Sequence, residues 1–244
     1  MRKFGLIGFP LSHSFSKQYF TNKFKREEIV DCSYELFPIE SISELPALLK
    51  REPELCGLNV TIPYKEQLIP YLHQQSAVVQ QTGACNCVAI KNDTLIGYNT
   101  DVIGFRNSLL KAMNGKPGHA LVLGSGGASK AVRFVLEQLE IPFTLVSRRA
   151  GNGAISYDEL TNEMTAASGL IINCTPLGMY PLVEDAPPIP YQAIGPRHLL
   201  FDLIYNPAKT RFLLNGEERG ANILNGEEML ILQAEESWKI WNQE

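Results

Sequence analysis

No apolar run in the 244 residues approaches the ~18 that a membrane-spanning helix needs. There is no basic block either. Lys and Arg total 22 against 26 Asp and Glu, and the resulting charge of −4 makes nucleic acid and anionic membrane poor partners. Cysteine is sparse and odd in number, five with no framework spacing, so free thiols are expected and a disulfide scaffold is not. Cys85 and Cys87 form a C-x-C, but the four His are scattered and no second cluster accompanies them, so no metal is expected. Arg2-Lys3 ahead of residues 4–11 is a weak match to a secretory signal. The apolar part is short, Pro10 interrupts it, and Leu11-Ser12-His13 is not a small-x-small cleavage site. The expectation is a cytoplasmic protein. Repeats and low-complexity tracts are also missing; the densest proline cluster, residues 187–190, is loop-sized. What is present is ordinary: 45% hydrophobic and 20% charged residues exclude a wholly disordered chain. The length allows one large domain or two small ones.

Short apolar runs alternate with longer helix-like stretches, which predicts an α/β protein. Residues 4–8 read as a buried strand, followed by a helix over 15–26 with Ser14 as its cap. Residues 33–37 and 55–60 read as further strands. Ser41 and Glu44 have capping-box spacing ahead of a helix over 45–49, and Pro63 opens another short helix. Strands over 85–90 and 94–98 around Lys91-Asn92-Asp93 form a hairpin signal. Asn99, Thr100 and Asp101 supply candidate caps for a helix running to about 113, and a domain change falls within or just before it. Beyond it, residues 119–123, 143–146, 170–173, 199–203 and 222–224 are continuous apolar runs, the mark of a parallel sheet covered on both faces. The last helix spans 227–241, is amphipathic and is expected to pack back on the first domain. Trp238 and Trp241 on it read as packing residues.

Gly124-Ser125-Gly126-Gly127-Ala128-Ser129 lies between a predicted strand and a predicted helix. The spacing is G-x-G-x-x-S. The first Gly permits a tight turn and the second a close backbone approach to a pyrophosphate, which the free N–H groups and dipole of the helix N-terminus then hold. No G-K-[ST] follows, so this is not a P-loop. About twenty residues on, where an NAD site offers Asp or Glu to the ribose, stands Ser147-Arg148-Arg149. Two guanidiniums there suit a 2′-phosphate and point to NADP; the alternative is a pair of solvated loop charges.

In the first half, Ser14, Ser16, Asn59, Thr61, Lys65, Asn86 and Asp101 all sit near ends of apolar strands. Singly each has a bland reading: a helix cap, a solvated lysine, an N-cap. His13 beside Ser14 does not make a serine hydrolase, because there is no nucleophile elbow and adjacent side chains usually point apart.

Seven segments carry a collective reading. They are Pro10-Leu11-Ser12-His13-Ser14-Phe15-Ser16, Asn59-Val60-Thr61-Ile62-Pro63-Tyr64-Lys65, Gly83-Ala84-Cys85-Asn86, Gly97-Tyr98-Asn99-Thr100-Asp101, the Gly124 turn, Asn173-Cys174-Thr175-Pro176, and Asp202-Leu203-Ile204-Tyr205-Asn206-Pro207. In this order and over nearly the whole length the chain resembles the shikimate dehydrogenase family. The resemblance implies two domains, an α/β substrate-binding domain over 1–101 plus 225–244 and a Rossmann-like NADP-binding domain over 102–224. It implies reversible reduction of 3-dehydroshikimate to shikimate with NADP, NADPH being the biosynthetic reductant. The implied partners are these small molecules, with no nucleic acid or membrane, and the protein would be a monomer or homodimer. Ser14, Ser16 and Tyr205 would hold the substrate carboxylate with neutral donors. Asn59, Thr61, Asn86 and Gln233 would read the carboxylate and ring hydroxyls. Gly124, Ser125, Gly126, Gly127, Ala128, Ser147, Arg148, Arg149, Thr175, Leu203 and Gly226 would bind the cofactor. Lys65 and Asp101 would be the catalytic pair. Hydride delivery to a ketone builds negative charge on oxygen, which an ammonium stabilises and protonates; in reverse a neutral amine takes the hydroxyl proton. Asp101 would position Lys65 and a substrate hydroxyl.

Three positions depart from the family pattern. The segment between Arg149 and Tyr157 is short where relatives usually place a helix. Asn225-Gly226-Glu227-Glu228-Met229 stands for D-G-x-G-M, with Glu228 in place of the second Gly. Ala77 replaces a commonly acidic residue. Two alternatives stay open: a relative that takes quinate or NAD, and a catalytically silent binder.

Overall fold

The computed structural model describes residues 1–11 and 14–243; the reading of His13 falls outside the described residues. The chain divides into two compact units, Met1–Thr100 with Ala234–Glu244, and Asp101–Gln233.

The first unit runs β1 (Arg2–Gly8), α1 (Phe15–Arg26), β2 (Cys32–Pro38), α2 (Leu45–Arg51), β3 (Leu55–Val60), α3 (Tyr64–Gln67), β4 (Gln74–Gln75), α4 (Ala77–Thr82), β5 (Cys87–Lys91) and β6 (Thr94–Tyr98). These strands form one mixed sheet in the order β2-β1-β3-β5-β6-β4. β1 is parallel to β2 and β3, whereas β5 is antiparallel to β3 and β6. Asn92 and Asp93, with φ of 48° and 60°, make the tight β5–β6 turn in the left-handed conformation that hairpins favour. One face of the sheet packs Ile7, Leu58 and Val60 against Leu45, Leu48, Tyr64, Leu68 and Val79. The other packs Phe4 and Tyr34 against Phe20 of α1 and Ala234, Ile240 and Trp241 of the C-terminal helix. Trp241 stacks on Phe4 at 4.8 Å and donates its indole N–H to Val88 O at 2.9 Å. A Cβ on Gly57 would stand 2.3 Å from that indole, so the strand is bare where the ring lies on it. Truncating a ring packed this way costs about 3–5 kcal/mol. Lys23, only 4% exposed, is held by Glu235 at 2.8 Å and Glu27 at 2.9 Å, and the Tyr19 hydroxyl also donates to Glu235. A buried ammonium needs such pairing, and here it fastens α1 to the C-terminal helix.

The second unit runs α5 (Asp101–Ala112), β7 (Ala120–Leu123), α6 (Gly127–Gln138), β8 (Phe143–Ser147), β9 (Ala154–Ser156), α7 (Asn162–Ala167), β10 (Leu170–Asn173), β11 (Leu199–Asp202), α8 (Arg211–Glu217), β12 (Asn222–Leu224) and α9 (Glu227–Trp241), the last continuing into the first unit from Ala234. The sheet order is β12-β11-β10-β7-β8-β9 and every pairing is parallel. Counted from β7, this is the 3-2-1-4-5-6 order of doubly wound dinucleotide folds.

Several local expectations are corrected. Ser14 is the N-cap of α1 by position, but its side chain makes no capping bond. The Ser41/Glu44 capping box closes a 3-10 turn over Ile42–Glu44, and α2 follows it. Cys85 precedes β5 and does not share a strand with Cys87; its thiol instead donates to the Cys87 carbonyl. Asp101 opens α5 as a helical residue. The short segment after Arg149 forms β9, an edge strand. Among the described residues no helix is long and apolar enough to cross a membrane.

Candidate active site and nucleotide site

In the first unit the polar residues gather because strand direction brings several chain segments to one sheet end. Asn59 pairs with Cys87, and Cys87 with Tyr98. The carboxyl ends of β3 and β6 and the amino end of β5 therefore coincide. Parallel pairing of β1 with β3 adds the carboxyl end of β1, which leads to Ser14 and Ser16 in the first turn of α1. Thr61 directly follows β3, and its N–H bonds Ile7 O at 3.0 Å. Lys65 lies on α3, half-buried, and its carbonyl accepts from Cys85 N at 2.8 Å, which ties that helix to the segment before β5.

The amides at this end are fully organised. Asn59 is 5% exposed. Its Oδ1 accepts from the Tyr34 hydroxyl at 2.8 Å, and its Nδ2 donates to Ser237 Oγ at 2.9 Å and to Asn86 O at 3.4 Å. Asn86 Oδ1 accepts the Thr100 N–H at 2.6 Å, and Asn86 Nδ2 donates to Thr100 Oγ1 at 3.0 Å. Thr100 Oγ1 lies 3.3 Å from Ser237 Oγ. Burial pushes the Tyr34 phenol well up, so it stays a neutral donor. Tyr34 and Ser237 were invisible as site residues in the sequence; one lies mid-strand and the other is about 140 residues from Thr100, so only the fold reveals the network.

The second unit holds Asp101, buried at the start of α5, together with Tyr205, Gln233 and the whole set expected to hold a nucleotide. Gly124 ends β7 with φ +101°, and a Cβ there would meet Thr175 Cγ2 at 2.9 Å. Gly is required on both counts. Gly126 is extended and precedes α6, and a Cβ built on it meets nothing within 4 Å. Backbone N–H groups at the start of this 12-residue helix thus border open space. Ser129, at the third position of the motif, is fully buried and turns its hydroxyl back to Gly126 O at 2.7 Å, so a Ser fits where Gly or Ala is usual. Arg148 and Arg149 are exposed just past β8, and the Ser147 hydroxyl donates to Arg149 O. Gly226 is packed so closely on Leu203 that a Cβ would stand 2.2 Å from its carbonyl oxygen.

Behind the turn lies a second buried network. Asn173 Oδ1 accepts from Thr175 N at 3.0 Å and Thr175 Oγ1 at 2.7 Å, while Asn173 Nδ2 donates to Asp202 Oδ1 at 3.0 Å. Asp202 is completely buried, accepts also from Ile204 N at 3.0 Å and from the Thr210 hydroxyl, and is pushed up to about 6 by burial against those hydrogen bonds. Burial likewise pushes the neighbouring Cys174 thiol up, which makes it inert as a nucleophile. Glu228 does not stand alone: its carboxylate pairs with Lys111 of α5 at 2.6 Å.

The glycine turn sits between β7 and β10, where the strand order reverses and where open α/β sheets bind ligands. Open space at Gly126, an α6 N-terminus, and two guanidiniums at the end of β8 fit a dinucleotide that carries an extra phosphate. The fold and this site define a two-domain α/β protein of the dinucleotide-binding class.

Residues 6–88 match the family model of the shikimate dehydrogenase substrate binding domain. The NADP(+)-dependent shikimate dehydrogenase of Clostridium beijerinckii is 37% identical over 100% of this chain and 93% of its own length. That of Methanosphaera stadtmanae is 34% identical over 97% and 90%. Shikimate dehydrogenase 1 of Peptoclostridium difficile superposes with a TM-score of 0.88 at 36% identity, covering 99% of this chain and 91% of that one. A Thermus thermophilus shikimate 5-dehydrogenase, solved with NADP(H) and shikimate, superposes at 0.86 with 29% identity over 99% and 94%. This chain belongs to the shikimate dehydrogenase family.

Proposed function

We propose that this chain is an NADP-dependent oxidoreductase that reversibly reduces 3-dehydroshikimate to shikimate. The observation that carries the reading is the match to NADP-dependent shikimate dehydrogenases along essentially the entire chain. Arg148 and Arg149 beyond β8, with no carboxylate between them and the strand, support NADP over NAD. The backbone N–H groups of Gly124, Ser125, Gly126, Gly127 and Ala128 would hold the pyrophosphate, with Thr175, Leu203 and Gly226 shaping the nicotinamide end. The bound nicotinamide supplies the hydride in the biosynthetic direction and accepts it in the other.

The rest is done by this chain's side chains. Ser14, Ser16 and Tyr205 hold the substrate carboxylate with hydroxyl donors. Asn59, Thr61, Asn86 and Gln233 shape the pocket for the ring. Lys65 Nζ gives a proton to the carbonyl oxygen as charge develops there, and takes the hydroxyl proton in reverse. Asp101 orients Lys65 and a ring hydroxyl. Five free cysteines and a charge of −4 support a cytoplasmic enzyme that meets small molecules rather than nucleic acid or membrane, as a monomer or homodimer.

Lys65→Ala tests the assignment. General acid–base catalysis contributes roughly 10²–10⁴-fold. Turnover should fall by that amount while shikimate affinity, read by calorimetry, changes only a few-fold. Near-normal turnover in the variant removes Lys65 from the mechanism.

A further inference from the structure

We infer that Tyr34 and Ser237, neither of which faces the reaction as an acid, base or charge, are positioning residues that hold the substrate-facing groups of the first unit in one hydrogen-bonded chain. The inference rests on the function proposed above and extends it.

The chain can be followed atom by atom. It begins at the buried Tyr34 phenol. The phenol O–H donates to Asn59 Oδ1 at 2.8 Å, and Asn59 Nδ2 donates to Ser237 Oγ at 2.9 Å. Ser237 Oγ lies 3.3 Å from Thr100 Oγ1, which accepts from Asn86 Nδ2 at 3.0 Å. The Thr100 N–H closes the chain on Asn86 Oδ1 at 2.6 Å. Five chain segments, at Tyr34, Asn59, Asn86, Thr100 and Ser237, therefore share one set of oriented donors and acceptors.

Two features make the arrangement directional. The Asn59 amide nitrogen also donates to the Asn86 carbonyl, which can only accept, so a flipped amide would set oxygen against oxygen there. Tyr34 is itself locked, its ring stacked on Phe20 at 4.5 Å with an interplanar angle of 13°. The phenol thus holds the Asn59 amide in one orientation before substrate arrives, which is preorganisation of that group. Ser237 does the corresponding work from the C-terminal helix, linking Asn59 to the Thr100–Asn86 pair.

Tyr34→Phe keeps the stacked ring and removes only the hydroxyl; Ser237→Ala removes the other link. Both are assayed with wild type for KM of shikimate, KM of NADP, kcat and thermal melting. The expected result is an approximately 10-fold rise in the KM for shikimate in Tyr34→Phe, in line with an orphaned buried hydrogen-bond partner. The KM for NADP and kcat should stay within about three-fold, since the partners named above lie in the first unit and the glycine turn and arginines in the second. In the Asn59→Ala background the Tyr34→Phe change should add less than it does alone, because its effect passes through Asn59. Should Tyr34→Phe not fold, the same split of KM values is read from Ser237→Ala. An unchanged KM for shikimate in both variants, or parallel loss of shikimate and NADP affinity, overturns the positioning role and leaves the proposed function standing. A wild-type protein that neither turns over nor binds shikimate overturns the proposed function, and this inference with it.

Discussion

Where a carboxylate would take a ribose 2′-hydroxyl, just beyond β8, the chain presents two exposed guanidiniums, Arg148 and Arg149. Charge-assisted bonds to a phosphate are worth ~1.5–3 kcal/mol each, so removing one costs about 10–100-fold in affinity. Arg148→Ala/Arg149→Ala should therefore raise the KM for NADP by at least ten-fold and leave the KM for NAD within about two-fold. Equal effects on both cofactors, read in parallel steady-state assays, would mean that the pair does not meet the 2′-phosphate. These arginines were legible in the sequence because their position is counted along the chain from Gly124. Tyr34 and Ser237 were not, and Asp202 stood in a quoted motif without a role, since their partners are set by strand pairing and helix docking. Asn59 was legible as a polar residue in an apolar strand, but its partners were not. Glu228 carried no hint of its partner either: Lys111 precedes it by more than a hundred residues.

The long helices α1 and α9 lie over the residues that the sequence pattern marks, and the five apolar runs of the second half are all strands of the parallel sheet. Five short elements, β4, α4, β9, α7 and α8, left no comparable pattern; the longest has seven residues and each depends on neighbours for its stability. β11 matters most for its last residue, Asp202, which underlies the Asn173–Thr175 corner against Gly124. Its carboxyl is pushed up to about 6, above the ordinary Asp range. The folded protein thus keeps the proton over a window in which the unfolded chain has lost it. The stabilisation is complete below about pH 4 and is lost as pH rises through about 6, on the order of 3 kcal/mol in all. Asp202→Asn keeps the neutral form at every pH. The stability of this variant relative to wild type, read from denaturant melts between pH 4 and 7, should improve as pH rises. A pH-independent difference would show that Asp202 does not titrate in this window.

At the scale of the molecule, two sheets divide the labour. The mixed sheet of the first unit carries Lys65 and the hydroxyl and amide groups suited to a small polyhydroxy acid; the parallel sheet of the second carries the turn, helix and arginines suited to a dinucleotide. The chain passes between the units at Thr100–Asp101 and again inside α9 at Gln233–Ala234, so Lys65 and Asp101 belong to different units, as do Ser237 and Gln233. The central claim is that these units together make an NADP-dependent shikimate dehydrogenase. The most direct measurement is absorbance at the reduced-nicotinamide band, with the purified chain, shikimate, and either NADP or NAD. The account predicts a rise with NADP that far exceeds the rise with NAD. No rise with shikimate under either cofactor would contradict it.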